Sequence, residues 1–432
     1  MDAPPTCRAI LGEFRGWEAA HLSNGLVRVA AVPAIGGRLM AYDLGDTPYL
    51  FVDSDLAGKL FTAAENQGDG SMAAWKNYGG DKTWPAPQGW DGPDQWPGPP
   101  DAILDSGRYE LADLAASDGE AYMRMVSPSG SPTGVQITRQ ASIRAGSSRL
   151  NLHLTFANLG QRPIRWSIWD VVQLRADRLG PDGRLAYEPA CTVTAPVNPH
   201  SRFPQGFNVM FGDAANPQWC VDPGQGLFFG SYQFEIGKVG LDSRGGWIAF
   251  ANTATGHAFA ERFAVEPDGD YPDGGADVEC WTVGRGRVAS LSYDESSGPF
   301  LMETEILSPF RHMAPGASAS FDIEWGACRC AGPILEVSGA GCTSRPLQVS
   351  REGERATVTG TFGVFDVGEL ELVWLDQDRA PVAREKLGAV TPLALVELER
   401  TLAVPLGFGA LRLDVVAAAG ERRPLAAARL PY

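Results

Sequence analysis

Residues 149–156 read RLNLHLTF, with charged or polar and apolar side chains in strict alternation. A period of two marks a strand with one buried face and one wet face. Working outward, 26–32 (LVRVAAV) has the same period. Similar short β-rich runs recur at 135–143, 164–172, 226–232, 246–250, 278–283, 300–307 and 318–325. Asp182-Gly183, Asp268-Gly269 and Asp273-Gly274 separate such runs as tight turns. No convincing long amphipathic helix interrupts them, so the pattern predicts an all-β sandwich with many strands. Beyond Trp325 the short piece ACRCAGP leads to a second set of runs at 355–362, 368–375 and 410–416. Their spacing fits a small Ig-like sandwich. The expected division is therefore 1–330 and 331–432. The second part has no histidine and no aromatic-rich loop, and reads as an accessory or interface domain. No internal repeat is evident.

The composition narrows the function. A net charge of −16 argues against nucleic acid or an anionic membrane as partner and favours a neutral or cationic ligand. The N-terminus, MDAPPTCRAILGEFRG, lacks the basic-then-apolar profile of a secretory signal, and no 18-residue apolar run is present. The expectation is a cytoplasmic protein, or a periplasmic one if the chain has been trimmed. Its oligomeric state is left open. The seven cysteines have no CxxC spacing and only five histidines accompany them, which predicts scattered reduced thiols and no structural zinc. Neither a cofactor nor a metal is expected.

The most unusual stretch is 75–101, WKNYGGDKTWPAPQGWDGPDQWPGPPD, which holds Trp75, Trp84, Trp90 and Trp96, four of the chain's twelve tryptophans. Proline and glycine predict an irregular loop here, not a helix or central strand. Flat aromatic faces beside Asn77, Asp81, Lys82 and Gln88 suit a sugar ring, with its apolar C–H faces and its equator of hydroxyls. The bland alternative is that the tryptophans pin a long loop to the body.

Residues 22–39, LSNGLVRVAAVPAIGGRL, resemble the opening of galactose mutarotase-like proteins, the aldose 1-epimerase superfamily. Residues 148–170, with Asn158 in TFANLGQRPI, look like that superfamily's middle strand pair. Residues 300–325, FLMETEILSPFRHMAPGASASFDIEW, look like its closing hairpin. NYGGDKTWPAPQ at 77–88 is similar to an uncharacterised bacterial branch that carries no assigned chemistry. The resemblance covers roughly 20–327 and implies a β-supersandwich whose concave sheet binds a mono- or oligosaccharide. It also implies that Glu303, in METE, is the general base on the anomeric hydroxyl. The family's acid is a histidine, whereas RWSIWDVVQL offers Asp170 near that position. Asp170 can act as an acid only if burial or another carboxylate raises its pKa.

Several other residues carry chemistry. Glu303 and Glu305 are i,i+2 on a predicted strand and share a face, where mutual repulsion favours a retained proton. The structural alternative is a solvated face paired with cations such as Arg311. Asp170 is either ligand-facing or the partner of an arginine such as Arg165, with Trp166 on its face and Trp169 opposite. Glu279 and Trp281, in DVECWTV, share one face as carboxylate and indole. Lys82 can bind a uronate carboxylate or brace its loop through Asp81. His312 follows the Glu303 strand in SPFRHM and is the histidine best placed for catalysis. The acidic, glycine-rich loop 266–279 could hold Ca²⁺ through oxygen ligands, but it misses the EF-hand spacing, which favours a solvated hairpin loop.

The expectation is thus a carbohydrate-active enzyme performing mutarotase-type epimerisation, with Glu303 as base and Asp170 or His312 as acid. Asn77, Asp81, Lys82, Trp84 and Trp90 would orient the ring. Two alternatives stand beside it. One is a polysaccharide lyase or glycoside hydrolase, with Lys82 or Arg139 neutralising a uronate. The other is a non-catalytic carbohydrate-binding protein.

Overall fold

The computed structural model describes residues 6–89, 96–97, 101–288, 290–294, 298–418 and 420–429. Among them only two α-helices occur, Ala63–Gln67 and Ala102–Ser106, each of five residues. Strands account for nearly all other regular structure. A twelve-stranded and a ten-stranded sheet pack face to face over one large core, the supersandwich expected from the sequence. No described helix is long and apolar enough to cross a membrane.

The alternation at 149–156 appears as predicted. In the Leu150–Asn158 strand Leu150, Leu152, Leu154 and Phe156 are buried, while Asn151 and His153 are exposed on the outer face of the ten-stranded sheet. Its antiparallel neighbours are Val135–Arg144 and Ser318–Arg329. The latter strand runs four residues beyond the predicted end at Trp325.

The middle of the twelve-stranded sheet behaves differently. Asp81–Ala86, Ile164–Arg175, Leu301–Leu307, Val278–Thr282 and Gly237–Leu241 lie side by side in that order. Four of these strands are buried at every residue, which requires cover on both faces. The sandwich core covers one face. Segments near 72–77 and 290–293 cover part of the other.

This corrects the expectation that 75–101 is irregular throughout. Asp81–Ala86 is a buried interior strand despite Pro85. Its pairing with Arg38–Leu44 is the single pair Leu39–Asp81, so at Pro85 the strand is paired only with Ile164–Arg175. A proline is tolerated where one edge needs no N–H. The entry to the strand depends on Gly79 and Gly80, both at positive φ. A Cβ at Gly80 would lie 2.4 Å from the Leu39 carbonyl oxygen, so only glycine fits.

Past Arg329, two four-stranded sheets enclose a separate core that includes Phe362, Leu372, Trp374 and Leu413. Runs predicted at 355–362, 368–375 and 410–416 are the strands Arg355–Val364, Gly368–Leu375 and Ala410–Ala417. This sandwich rests against the outside of the ten-stranded sheet through Trp247, Cys328, Cys342 and Phe365. The Ser148 N–H donates to the Phe365 carbonyl at 2.7 Å, and Arg149 pairs with Asp366 at 2.7 Å.

Candidate active site

Parity decides which side chains meet. Along a strand successive side chains point to opposite faces, so neighbours in sequence are assigned to opposite sides of the sheet. Lys82, Trp84, Trp169, Gln173, Glu303, Trp281 and Lys238 face away from the sandwich core and line a cavity of about 220 Å3. Met72, Trp75, Asn77, Gln88 and Tyr293 add to its walls. Of the residues singled out in the sequence, the cavity gathers Asn77, Lys82, Trp84, Gln88, Trp281 and Glu303.

The floor is built from two lysine–carboxylate units. Lys82 Nζ lies 3.4 Å from Glu303 Oε1, and Gln173 Nε2 donates to the same oxygen. Lys238 Nζ lies 2.6 Å from Glu279 Oε2 and 2.9 Å from Glu305 Oε2. Trp169 Nε1 also donates to Glu305 Oε2, at 2.8 Å. Each ammonium sits over an indole, Lys82 4.7 Å from the Trp84 ring centre and Lys238 4.4 Å from that of Trp169. Trp84 stands edge-on to both Trp75 and Trp169. Trp75 in turn is held by its Nε1, which donates to Asp105 Oδ2 at 2.7 Å. The buried Arg38–Asp105 ion pair anchors that aspartate.

Burial and neighbouring charge tune these groups in opposite ways. Desolvation pulls the Lys82 pKa below the usual lysine value, and nearby Arg38 adds to this against the pull of Glu303. Desolvation would do the same to Lys238, but Glu279 and Glu305 outweigh it and raise that pKa. Burial pushes Glu305 up to about 8, with Glu279 and Glu303 adding to the rise and Lys238 opposing it. Burial likewise pushes Glu279 up to about 7 against the same lysine.

Other expected site residues lie elsewhere. Asp170 points into the sandwich interior, 0% exposed, where it accepts from Thr83 Oγ1 at 3.0 Å beside Asp81 and Arg139. It cannot reach the cavity, because Trp169 occupies the cavity-side parity. Its expected arginine partner, Arg165, is paired instead with Asp270 at 2.6 Å. Asp81 is also a core residue, ion-paired with Arg139, so neither of them can orient or neutralise a ligand on the open face. Arg139 further donates to the Gly37 and Asp81 carbonyls at 3.1 Å each.

His312 is exposed on the short strand Arg311–Met313, outside the cavity lining. Arg311 pairs with Glu266 at 2.6 Å and so does not neutralise Glu303. Glu279 and Glu305 lie beneath the lining, committed to Lys238. Trp90 falls outside the described residues. Asn158 is structural: it donates to the Arg162 and Met313 carbonyls at 2.8 and 2.9 Å. In the acidic loop Asp277 accepts the Ser243 and Arg244 N–H groups at 2.8 Å each.

Four contributors escaped notice as site residues: Lys238, Gln173, Trp169 and Tyr293. Lys238 had a signal in EIGKVGL, a lone lysine between apolar residues whose even spacing matches Glu279 across the sheet.

No protein-family model matches the chain, and neither does any curated protein sequence. Solved structures do show likeness. An aldose 1-epimerase, provisionally so described, from Klebsiella pneumoniae superposes with a TM-score of 0.49 at 14% identity, over 74% of this chain and 83% of that one. A galactose mutarotase-like protein from Clostridium acetobutylicum gives 0.46 at 11% identity, over 75% and 99%. A TPR-domain containing protein from Parabacteroides distasonis gives 0.47 at 12% identity over 74% of this chain, which spans only 48% of that protein's length. Likenesses of this order fix no activity or substrate for this chain.

Proposed function

We propose that the cavity binds a sugar and interconverts its anomers, with Glu303 as general base and Lys82 as general acid. The carrying observation is the Lys82–Glu303 pair at 3.4 Å on the floor of an indole-walled cavity. Glu303 Oε1 is engaged by Gln173 and Lys82, which leaves Oε2 for a substrate hydroxyl. Glu303 takes the proton from the anomeric O–H, and Lys82 Nζ gives one to the ring oxygen. The bond from C1 to the ring oxygen breaks, leaving an open-chain aldehyde. Rotation about C1–C2 and the reverse transfers close the other anomer.

Lysine suits this work better than arginine, because an ammonium can surrender its proton and a guanidinium cannot. The depressed Lys82 pKa brings that proton nearer to neutrality. Lys82 thus takes the place expected for Asp170 or His312. Glycosidic cleavage by paired carboxylates has less support, since Glu279 and Glu305 are turned to Lys238 and, among the described residues, only Glu303 brings a carboxylate to the cavity. We place the boundary between this unit and an accessory sandwich at 330/331.

Exchange NMR on free aldoses and uronic acids tests the proposal. The expected result is anomer interconversion above the buffer rate, lost in Glu303→Gln. Binding without acceleration would leave a carbohydrate-binding protein, and no binding would remove the sugar from the proposal.

A further inference from the structure

Of 36 basic residues in the chain only five are lysines, at 59, 76, 82, 238 and 386. Buried ion pairs elsewhere use arginine, as in Arg38–Asp105, Arg139–Asp81 and Arg149–Asp366. The cavity floor is the exception, holding both Lys82 and Lys238. Their strands are separated by three others, yet both ammoniums reach the Leu301–Leu307 strand, one at Glu303 and one at Glu305. Residues i and i+2 of a strand are about 7 Å apart. The two units are therefore attached to that strand about one pyranose ring's width apart.

The charges presented to a ligand are not balanced. Lys82, Lys238 and Glu303 line the cavity, whereas Glu279 and Glu305 are 0% exposed beneath it. Of the three N–H donors of Lys238, Glu279 and Glu305 accept two, and the third is left for a ligand. Glu279 and Glu305 already offset the desolvation of Lys238, so hydrogen bonding decides what its third N–H takes: a carboxylate accepts from an ammonium more strongly than a neutral hydroxyl does.

Resting on the sugar assignment above, we propose that the substrate class is a hexuronate. Its anomeric end lies at Glu303–Lys82, and its carboxylate lies against Lys238. A single negative charge fits better than a phosphate dianion, which would face three carboxylates nearby. Among the described residues no arginine lines the cavity to grip a phosphate with a bidentate fork.

Calorimetric titration of the full chain with glucuronate, glucose and glucose 6-phosphate, at fixed ionic strength, tests this. A hydrogen bond to a charged partner corresponds to roughly ten- to a hundredfold in affinity. Glucuronate is therefore expected to bind at least about tenfold tighter than glucose, and Lys238→Met should bring that ratio close to one. Equal affinities for glucose and glucuronate would overturn the hexuronate proposal and leave the sugar site standing. Preference for glucose 6-phosphate would overturn it in favour of phosphate. If none of the three binds, the sugar site fails with it. The selectivity of the unaltered protein decides the matter even if Lys238→Met does not fold. A folded Lys238→Met that keeps its full preference would also overturn the placement.

Discussion

The central strands carry charge on both faces, and the two faces behave differently. On the cavity side Lys82, Glu303 and Lys238 face a space that a ligand can enter, with Glu305 beneath them against Lys238. On the core side Asp81, Asp170, Glu261 and Arg139 are sealed between the two sheets, joined by Thr83 and Thr304. The residue types are nearly the same, and adjacent residues in the chain supply them: Asp81 beside Lys82, Asp170 beside Trp169, Glu303 beside Thr304. Perturbed carboxylates occur on both sides, so a shifted pKa does not mark the site by itself. Access does. A buried charge network without an opening can only specify structure.

The comparison can be broken most severely through Arg139. Arg139→Met leaves Asp81, Asp170 and Glu261 with no cation among them. It should cost about 3–5 kcal/mol in urea unfolding. A loss below about 1 kcal/mol would show that the core cluster is already largely protonated and needs no arginine.

On the cavity side the expected losses fall on activity. Glu303→Gln should lower anomer exchange at least about a hundredfold. Lys82→Met should do the same, and Lys82→Arg should not restore the rate, because the guanidinium keeps its proton. Rescue by arginine would make Lys82 an electrostatic group and not an acid.

A smaller effect tests the wall. Trp281→Leu should weaken sugar binding roughly three- to tenfold, the loss of one aromatic contact. No change would place the ring against Trp84 and Trp75 instead.

The last difference is in the pH response of stability. Burial, reinforced by Asp81, raises the Asp170 pKa well above the usual range, and burial with Asp170 does the same for Glu261. A carboxylate whose folded pKa exceeds its unfolded value of about 4 binds more protons when folded. Its contribution to stability is complete below pH 4 and is lost as pH rises toward the folded value. Asp170→Asn should therefore flatten the fall in stability above pH 4, measured by urea titrations across that range. An unchanged slope would exclude Asp170 as its source.

Much of this was legible in the chain. Strict alternation in RLNLHLTF specified a half-buried strand, because a one-sided sheet leaves one face in water. METE correctly set Glu303 and Glu305 on one face for the same reason. DKTWPA was not legible, since its assignment as a strand depends on Arg38–Leu44 diverging at Pro85. Asp170 was misplaced because sequence gives the parity of a strand without saying which side is open. Lys238 was overlooked because its partners, Glu279 and Glu305, are brought together by tertiary pairing alone.

Lys82 and Glu303 are separated by 221 residues. At about 5–20 residues per second of synthesis, the lysine waits roughly 10–45 s for its carboxylate. For that interval the sheet has no Leu301–Leu307 strand to complete the floor, and Lys238 lacks Glu305 as well. The early two-thirds of the polypeptide is then a partly assembled sheet in which Lys238 has Glu279 but Lys82 has no carboxylate, and a ribosome stalled before Leu301 would release a fragment without a complete floor. The cavity floor is thus finished late, only when the strand carrying both carboxylates takes its place between two that have been waiting.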